Sequence, residues 1–282
     1  MSRHAVIPPP GDRPSRMLRP DEAMALLIVV FLLHHLVGRP LLVGVGLASA
    51  VPLSQWIFIA APIIGFLLGR QLPLAATLRL NAPRLRDWGA TLCLGLGVVG
   101  AAGLMMAAQG ALLGPFAWYQ ERMDHWAEAL TAPTAAELPW LLLTIAVTPA
   151  VCEELLFRGV MTRGLQPWVS PLRLCVIVGV LFGLFHADPL QVVPAAVIGV
   201  IFTWLALASG SLWPCIVVHL LFNTTTLLLR FLIEAPADAT PRLWELALSA
   251  GLAGVFLPLG LWLLRPHRHL SNPQFTQTGV RS

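Results

Sequence analysis

The sequence has no lysine and few charged residues of any kind. Charged residues make up 11% of the 282 residues and hydrophobic residues 57%, whereas a soluble domain carries about 25% charged residues. So few charges cannot cover a soluble surface, and so many apolar residues exclude a disordered chain. The apolar runs are continuous, which excludes an outer-membrane barrel of alternating strands of about ten residues. The composition therefore predicts an all-α polytopic membrane protein.

Cysteine is scarce as well, and the basic residues form no nucleic-acid-binding cluster. The four cysteines each stand alone in an apolar run: Cys93, Cys152, Cys175 and Cys215. This spacing fits neither a zinc site nor a disulfide framework, so we expect small buried side chains. The 18 basic residues outnumber the 14 acidic ones, but no aromatics are interleaved with them. They indicate membrane orientation and no nucleic-acid partner.

The apolar runs predict eight membrane spans, each needing about 20 residues to cross the hydrocarbon. Residues 1–22 are polar and are predicted to form a tail. The Arg-rich segment 70–87 should lie along a membrane face, and a short amphipathic helix is predicted around Phe116–Leu130. The predicted spans are 23–37, 41–69, 88–113, 139–160, 172–187, 190–209, 212–233 and 243–264.

The arginines are distributed unequally between the two sides of the predicted bundle. With a cytoplasmic N-terminus, the inner segments hold Arg3, Arg13, Arg16, Arg19, Arg70, Arg79, Arg84, Arg86, Arg163, Arg265, Arg268 and Arg281, and the outer segments hold Arg39, Arg122 and Arg242. By the positive-inside rule, both termini are predicted to be cytoplasmic. Ala48-Ser49-Ala50 resembles a signal-peptide cleavage site, but the apolar stretch before it is too long and contains Arg39.

Three polar motifs fall inside predicted spans, where a charge costs roughly 2.5–3.5 kcal/mol. The first is Glu153-Glu154 followed by Arg158, in a helix that has no turn signal. Glu154 and Arg158 are four residues apart and share a face, so they can pair, whereas Glu153 points about 100° away. The alternative is that these residues mark the end of the span and are solvated among the headgroups.

The other two motifs place histidines in membrane helices. Phe182 precedes His186 by four residues, and His219 precedes Asn223 by four. Both His219 and Asn223 must face the bundle interior or a water-filled cavity. Counted from the span ends, Glu153 and His219 lie at similar depth, but His186 lies about 10 Å nearer the outside. Either its helix starts below the membrane surface or it is strongly tilted.

Two histidines, an unpaired glutamate and an asparagine in one cavity can carry out hydrolysis. The glutamate can take a proton from water, and histidine can bind that water directly or through a metal. Asparagine and histidine can donate to an oxyanion. No H-E-x-x-H and no G-x-S-x-G sequence is present, so zincin and serine-nucleophile arrangements are excluded. His34 and His35, near the end of the first span, are interpreted as packing residues.

The order of these motifs resembles the CAAX protease and bacteriocin-processing family, also called the Abi family, of intramembrane proteases. Its pattern is E-E-x-x-x-R, F-x-x-x-H and H-x-x-x-N on successive membrane helices, and all three are complete here between 139 and 230. Gly210-Ser211-Leu212-Trp213-Pro214 also resembles the family. The resemblance divides the chain into a tail (1–22), N-terminal membrane helices (23–138), catalytic helices (139–233), and a last helix with a C-terminal tail (234–282).

The resemblance implies an eight-helix bundle, of the type II CAAX prenyl endopeptidase kind, that hydrolyses peptide bonds from a polar cavity. Glu153 would be the base that activates water, assisted by His186, and Glu154 would brace the site. His219 and Asn223 would steady the oxyanion. Glu153, His186 and His219 also resemble a zinc set, and a metal-free glutamate mechanism fits equally well. Arg158 and Phe182 would give structural support.

The implied partners are the lipid bilayer and a peptide substrate. Eukaryotic relatives trim prenylated CAAX tails, whereas the composition here looks bacterial. The expected location is therefore the bacterial inner membrane, and leader peptides are plausible substrates. A second interpretation remains open. The same polar residues could line a transport or binding cavity, or the chain could be a non-catalytic partner of a transporter.

Overall fold

The computed structural model describes residues 17–42, 45, 47–129, 135–232 and 242–264. Within these ranges the chain folds into helices joined by short connections, and they contain no strand. The ten helices of this part of the chain are α1 Pro20–Leu41, α2 Ser49–Gly69, α3 Leu74–Thr77, α4 Leu85–Leu113, α5 Ala117–Ala129, α6 Leu138–Leu165, α7 Pro171–Phe185, α8 Pro189–Ser209, α9 Trp213–Leu232 and α10 Leu243–Leu263.

Six of these helices are long and apolar enough to cross a membrane, and α7 and α9 are shorter apolar helices. Together they correspond to the eight predicted spans and confirm a polytopic, all-helical membrane protein. α5 occupies the position of the predicted amphipathic helix, whose last residue, Leu130, lies outside the described residues. Most of the predicted N-terminal tail lies outside them as well. All four cysteines are free thiols; Cys152, Cys175 and Cys215 are buried, as expected of small side chains in apolar runs, and Cys93 is partly buried.

The boundary between the first two spans was predicted wrongly. α1 continues to Leu41 instead of ending at residue 37, and the helix that contains α2 begins at Leu47 instead of 41. The cause is a π-helical stretch over Leu33–Gly38, in which the N–H of Arg39 bonds the carbonyl of His34 five residues back. This wider turn shifts the hydrogen-bond register by one residue, so the helix passes the expected break at Gly38 and Pro40.

α6 is the most enclosed of the long helices. In its 18-residue apolar stretch 61% is buried inside the bundle, whereas in that of α10 only 6% is buried. One apolar core joins α1, α2, α6 and α7, and a second joins mainly α4, α8 and α9. The charged residues of α6 are therefore surrounded by other helices.

The segment that connects α2 to α4 supports the start of α9. The N–H of Leu212 donates to the carbonyl of Arg79 (2.9 Å), and the hydroxyl of Ser211 donates to the carbonyl of Asn81 (2.6 Å). The Arg79 guanidinium donates to the side chain of Gln166. Burial, with a smaller effect of Arg163, lowers the pKa of Arg79 to about 10, so it is still a cation at neutral pH. These contacts fix where α9, and with it His219, enters the bundle.

Glycines allow close contact between paired helices, as is common in membranes. A Cβ on Gly100 of α4 would lie 2.5 Å from the carbonyl oxygen of Ser249 on α10. On the α7–α8 contact, a Cβ on Gly199 would lie 2.9 Å from the Cα of Gly179. Neither contact has room for a methyl group against the partner backbone.

We therefore expect Gly100→Ala to destabilise the protein by about 1–3 kcal/mol, the usual cost of overpacking. Gly254→Ala on α10 is the matched control, because nothing lies within 4 Å of its Cβ position. Thermal unfolding in detergent measures both variants. A Gly100→Ala protein as stable as the Gly254→Ala protein would show that α4 and α10 do not pack this closely.

Candidate active site

The two glutamates lie where α6 changes its winding. α6 is π-helical over Leu142–Val147, α-helical over Thr148–Glu154 and π-helical again over Leu155–Met161. Such wide turns occur frequently at functional sites, because they alter the direction in which the neighbouring side chains point. Glu153 and Glu154 end the short α-helical stretch. Both are buried, with 7% and 0% of their surface exposed.

Glu154 joins two of the predicted motifs. Its Oε1 accepts from Nη1 of Arg158 at 2.7 Å and from Nδ1 of His219 on α9 at 2.8 Å. An ionised carboxylate only accepts, so Nδ1 of His219 carries a hydrogen and Nε2 is the ring atom left for other partners. Because the Glu154–Arg158 pair is fully enclosed, the alternative of headgroup solvation is excluded.

Aromatic rings and a backbone carbonyl enclose the Arg158 cation. Its guanidinium carbon lies 4.5 Å from the ring centre of Phe182 and 5.3 Å from that of Phe202. Its Nη2 donates to the carbonyl of Gly199 at 3.2 Å. Cation–π contacts of desolvated groups contribute about 2 kcal/mol. The F-x-x-x-H motif on α7 thus contributes to holding the charged pair of α6.

The spacing of Glu153 from Arg158 predicted that Glu153 is unpaired, but its side chain does have a partner. Gln55 of α2 donates from Nε2 to Oε1 of Glu153 at 3.0 Å. The second oxygen, Oε2, is buried and has no hydrogen-bond partner among the described residues. The prediction was incomplete because nothing in the sequence pairs residue 55 with a residue 98 positions later.

His186 occupies the end of α7. Its Nδ1 donates to the carbonyl of Phe182 at 2.9 Å, which leaves Nε2 with a lone pair. The next residue, Ala187, has a φ of 51°, a left-handed conformation that costs a non-glycine residue on the order of 1 kcal/mol. The side chain of Asp188 then caps α8 by accepting from the N–H of Leu190. This tight corner fixes the position of His186.

α7, the helix that ends next to His186, is short. It has 15 residues, which at 1.5 Å per residue is about 22 Å, less than the roughly 30 Å hydrocarbon core. The helix is too short to cross the whole core. The ring of Phe182 lies between the two histidines, 5.0 Å from His186 and 6.0 Å from His219, measured between ring centres.

Asn223 is placed by a proline of α6. Pro149 has no N–H for the carbonyl of Ile145 four residues earlier, and Nδ2 of Asn223 donates to that carbonyl at 3.4 Å. An amide nitrogen has two hydrogens, so one remains for another acceptor. α9 therefore presents both polar residues to α6, His219 at Glu154 and Asn223 at the carbonyl of Ile145.

Comparison with known proteins bears on this same stretch. Residues 135–225 match the family described as type II CAAX prenyl endopeptidase Rce1-like. Over these residues, about a third of the chain, the protein is similar to that family, and we call the matching segment the Rce1-like domain. It contains all six polar motif residues: Glu153, Glu154, Arg158, His186, His219 and Asn223. The match confirms the resemblance found in the motifs. No curated protein and no solved structure matches the chain.

Polar residues outside the Rce1-like domain also reach this region. Ser54 of α2 bonds Nδ1 of His34 at 2.6 Å, and Nε2 of His35 donates to the carbonyl of Phe185 at 2.7 Å. His34 also stacks on Phe185 at 5.8 Å. Interpreting the pair only as packing residues was incomplete, because they join α1 to the corner of α7 next to His186. Their proximity depends on how α1 and α7 pack, which the sequence pattern does not contain.

The tentative metal set of Glu153, His186 and His219 is not assembled. Among the described residues, no three His, Cys, Asp or Glu side chains are arranged to hold a metal ion. Nδ1 of His219 contacts Glu154, and Nδ1 of His186 contacts a backbone carbonyl, which leaves Nε2 of each ring as the atom that could bind a metal. The three side chains do not converge on one metal position, and the chemistry below is derived from the protein groups alone.

Proposed function

We propose that this chain is an intramembrane endopeptidase that hydrolyses a peptide bond with water activated by Glu153. The Rce1-like domain supports a CAAX-type protease embedded in the membrane. The observation that carries the proposal is the Glu153 carboxylate, which is buried and is held at one oxygen by a neutral amide, whereas Glu154 is held by Arg158 and His219. The second oxygen of Glu153 has no hydrogen-bond partner among the described residues. A buried carboxylate that is oriented in this way suits a general base.

In the proposed reaction Glu153 takes one proton from water as the water oxygen attacks the peptide carbonyl carbon. The carbonyl oxygen becomes an oxyanion, and the carbon–nitrogen bond then breaks. The proton passes from Glu153 to the leaving nitrogen, so the products are a carboxylic acid and an amine, and the acid then releases its proton to the amine or to solvent. His186 assists by accepting from the water at Nε2, because its Nδ1 hydrogen is used by the carbonyl of Phe182.

α9 stabilises the oxyanion in this mechanism. Glu154 holds Nδ1 of His219, and Nε2 donates to the oxyanion when both ring nitrogens carry a hydrogen. The second amide hydrogen of Asn223 is the other donor. Glu154 and Arg158 orient His219 and do not contact the substrate. This separates the two adjacent glutamates by role, one reacting with water and the other positioning a histidine.

The substrate is proposed to be a peptide at or within the membrane. A prenylated CAAX peptide follows from the family description, and a leader peptide follows from the bacterial character of the composition. The test is cleavage by the purified protein of three internally quenched probes: a farnesylated CAAX peptide, the same peptide without the lipid, and a membrane-anchored leader peptide. Cleavage of at least one probe is expected. Failure on all three would contradict the endopeptidase proposal and favour a binding or transport cavity.

Both termini are proposed to lie in the cytoplasm of a bacterial inner membrane, as the arginine distribution predicts. Reporter fusions after residue 125 and after residue 282 should then report opposite sides, the second one cytoplasmic. A fusion after residue 80, in the Arg-rich segment, is the cytoplasmic control. If positions 125 and 282 report the same side, the number of crossings between them is wrong by an odd number.

A further inference from the structure

Gln55 belongs to none of the polar motifs and lies outside the Rce1-like domain, yet it contacts the proposed base directly. Its side chain is 6% exposed, and its Nε2 lies 3.0 Å from Oε1 of Glu153. The direction of this bond is unambiguous, because an ionised carboxylate accepts and only the nitrogen of the amide donates. The contact connects the second membrane helix to the fourth long one.

The placement of Gln55 results from the winding of α2. Leu53 and Trp56 on either side are exposed on the bundle surface, whereas Ser54 and Gln55 are buried. A π-helical stretch, Trp56–Ala60, begins directly after Gln55, just as one begins directly after Glu154 on α6. Both helices therefore have a wide π-helical turn next to the Gln55–Glu153 contact.

Apolar packing does not account for an amide at this position. Burying an amide costs about 1–3 kcal/mol unless its polar atoms are bonded. Nε2 of Gln55 is bonded to Oε1 of Glu153, whereas Oε1 of Gln55 and Oε2 of Glu153 have no hydrogen-bond partner among the described residues. The buried amide is therefore held by the carboxylate of Glu153, whose second oxygen is left to accept from a water.

We propose that Gln55 is a positioning residue of the hydrolytic site. Its amide N–H holds one oxygen of Glu153, so that the other oxygen faces the attacking water and accepts one of its hydrogens, while the second hydrogen goes to Nε2 of His186. The water lone pair is thereby directed away from both side chains, toward the peptide carbonyl. This inference rests on the proposed function, since it specifies how Glu153 is oriented for that reaction.

The test is a double-mutant cycle in purified protein, with the farnesylated CAAX peptide and the leader peptide as probes. Gln55→Met keeps the length and removes both polar atoms. It should lower kcat about 10²-fold, the scale of a small misplacement of a reacting group, and leave KM within about twofold. In a Glu153→Gln background, Gln55→Met should cause almost no further loss, because residues that act as a unit are not additive.

Gln109→Met is the matched control. Gln109 lies in membrane helix α4, and its Nε2 donates to the carbonyl of Leu190 at 2.8 Å, a carbonyl that Pro194 leaves without its helical donor. Its substitution should not change kcat and should affect Glu153→Gln protein to the same extent as wild type. Equal, additive losses from Gln55→Met in both backgrounds would reduce Gln55 to a structural residue and overturn the proposal.

An infrared measurement tests the contact without a substrate. The carboxyl stretching band of Glu153, identified by its absence in Glu153→Gln, should shift in Gln55→Met and stay unchanged in Gln109→Met. If Gln55→Met does not fold, the band is measured in Gln55→Asn, whose shorter side chain withdraws the donor and should also shift it. An unshifted band overturns the proposal. Loss of activity in Glu153→Gln together with full activity in Gln55→Met would refute the role of Gln55 alone, whereas full activity in Glu153→Gln would refute the proposed function itself.

Discussion

Purified Glu153→Gln protein is expected to fold and to cleave peptide about 10²–10⁴-fold more slowly than wild type, the usual cost of losing a general base. Glutamine keeps the shape of the side chain and cannot take a proton from water. Folding should be preserved, because a neutral amide is less costly to bury in a membrane protein than a carboxylate, and residue 153 makes no ion pair at the site. Single-turnover cleavage of a quenched peptide measures the chemical step.

Glu121→Gln is the control for this substitution. Glu121 is an exposed carboxylate on α5, outside the spans, and its loss should not change the rate. His186→Ala should resemble Glu153→Gln in activity, since His186 is the second proposed contact of the water. A folded Glu153→Gln protein that cleaves at the wild-type rate would be incompatible with the mechanism and would favour a binding or transport cavity.

Removing Arg158 is expected to have the largest effect on stability, about 3–5 kcal/mol, because it leaves a buried charge without its partner. In Arg158→Ala, Glu154 keeps only its contact with His219, and Phe182 and Phe202 lose the cation between them. Denaturant unfolding in detergent measures the loss. Arg158→Ala should also lower the folded yield more than Glu153→Gln does.

Arg173→Ala on α7 is the matched control, because Arg173 is exposed. The double variant Glu154→Gln with Arg158→Met should recover part of the stability, because it removes both charges together. It should stay poorly active, because His219 loses the carboxylate at Nδ1. Wild-type stability of Arg158→Ala would mean that the pair does not brace the bundle.

Much of the fold could be predicted from local patterns. A helix in lipid must satisfy its backbone within itself, so an apolar run of sufficient length reports a span. This held for α4, α8 and α10, whose bounds lie within three residues of the predicted spans. It failed at residues 38–48, where a π-helical stretch carried α1 past a glycine and a proline. A one-residue change of register leaves no signature in composition.

The same limit applies to the site: the contact within one helix could be predicted from the sequence, and the contacts between helices could not. The i, i+4 spacing predicted that Glu154 and Arg158 share a face, and the ion pair is present at 2.7 Å. The contacts of His219 with Glu154 and of Gln55 with Glu153 join residues 65 and 98 positions apart. No periodicity within one helix relates residues at such distances.

By itself, then, the sequence determined a helical membrane protein with three polar motifs on successive spans. The physical reason is that a helix needs a fixed apolar length to cross lipid and that a charge inside such a span is costly, and both features are local in the sequence. Only the tertiary structure decided which residue of another helix contacts each of the two adjacent glutamates. The wide turns in α2 and α6 set the rotation of each helix about its axis, and close packing against the neighbouring helices allows only one combination of these rotations. That packing places Gln55 on Glu153 and His219 on Glu154.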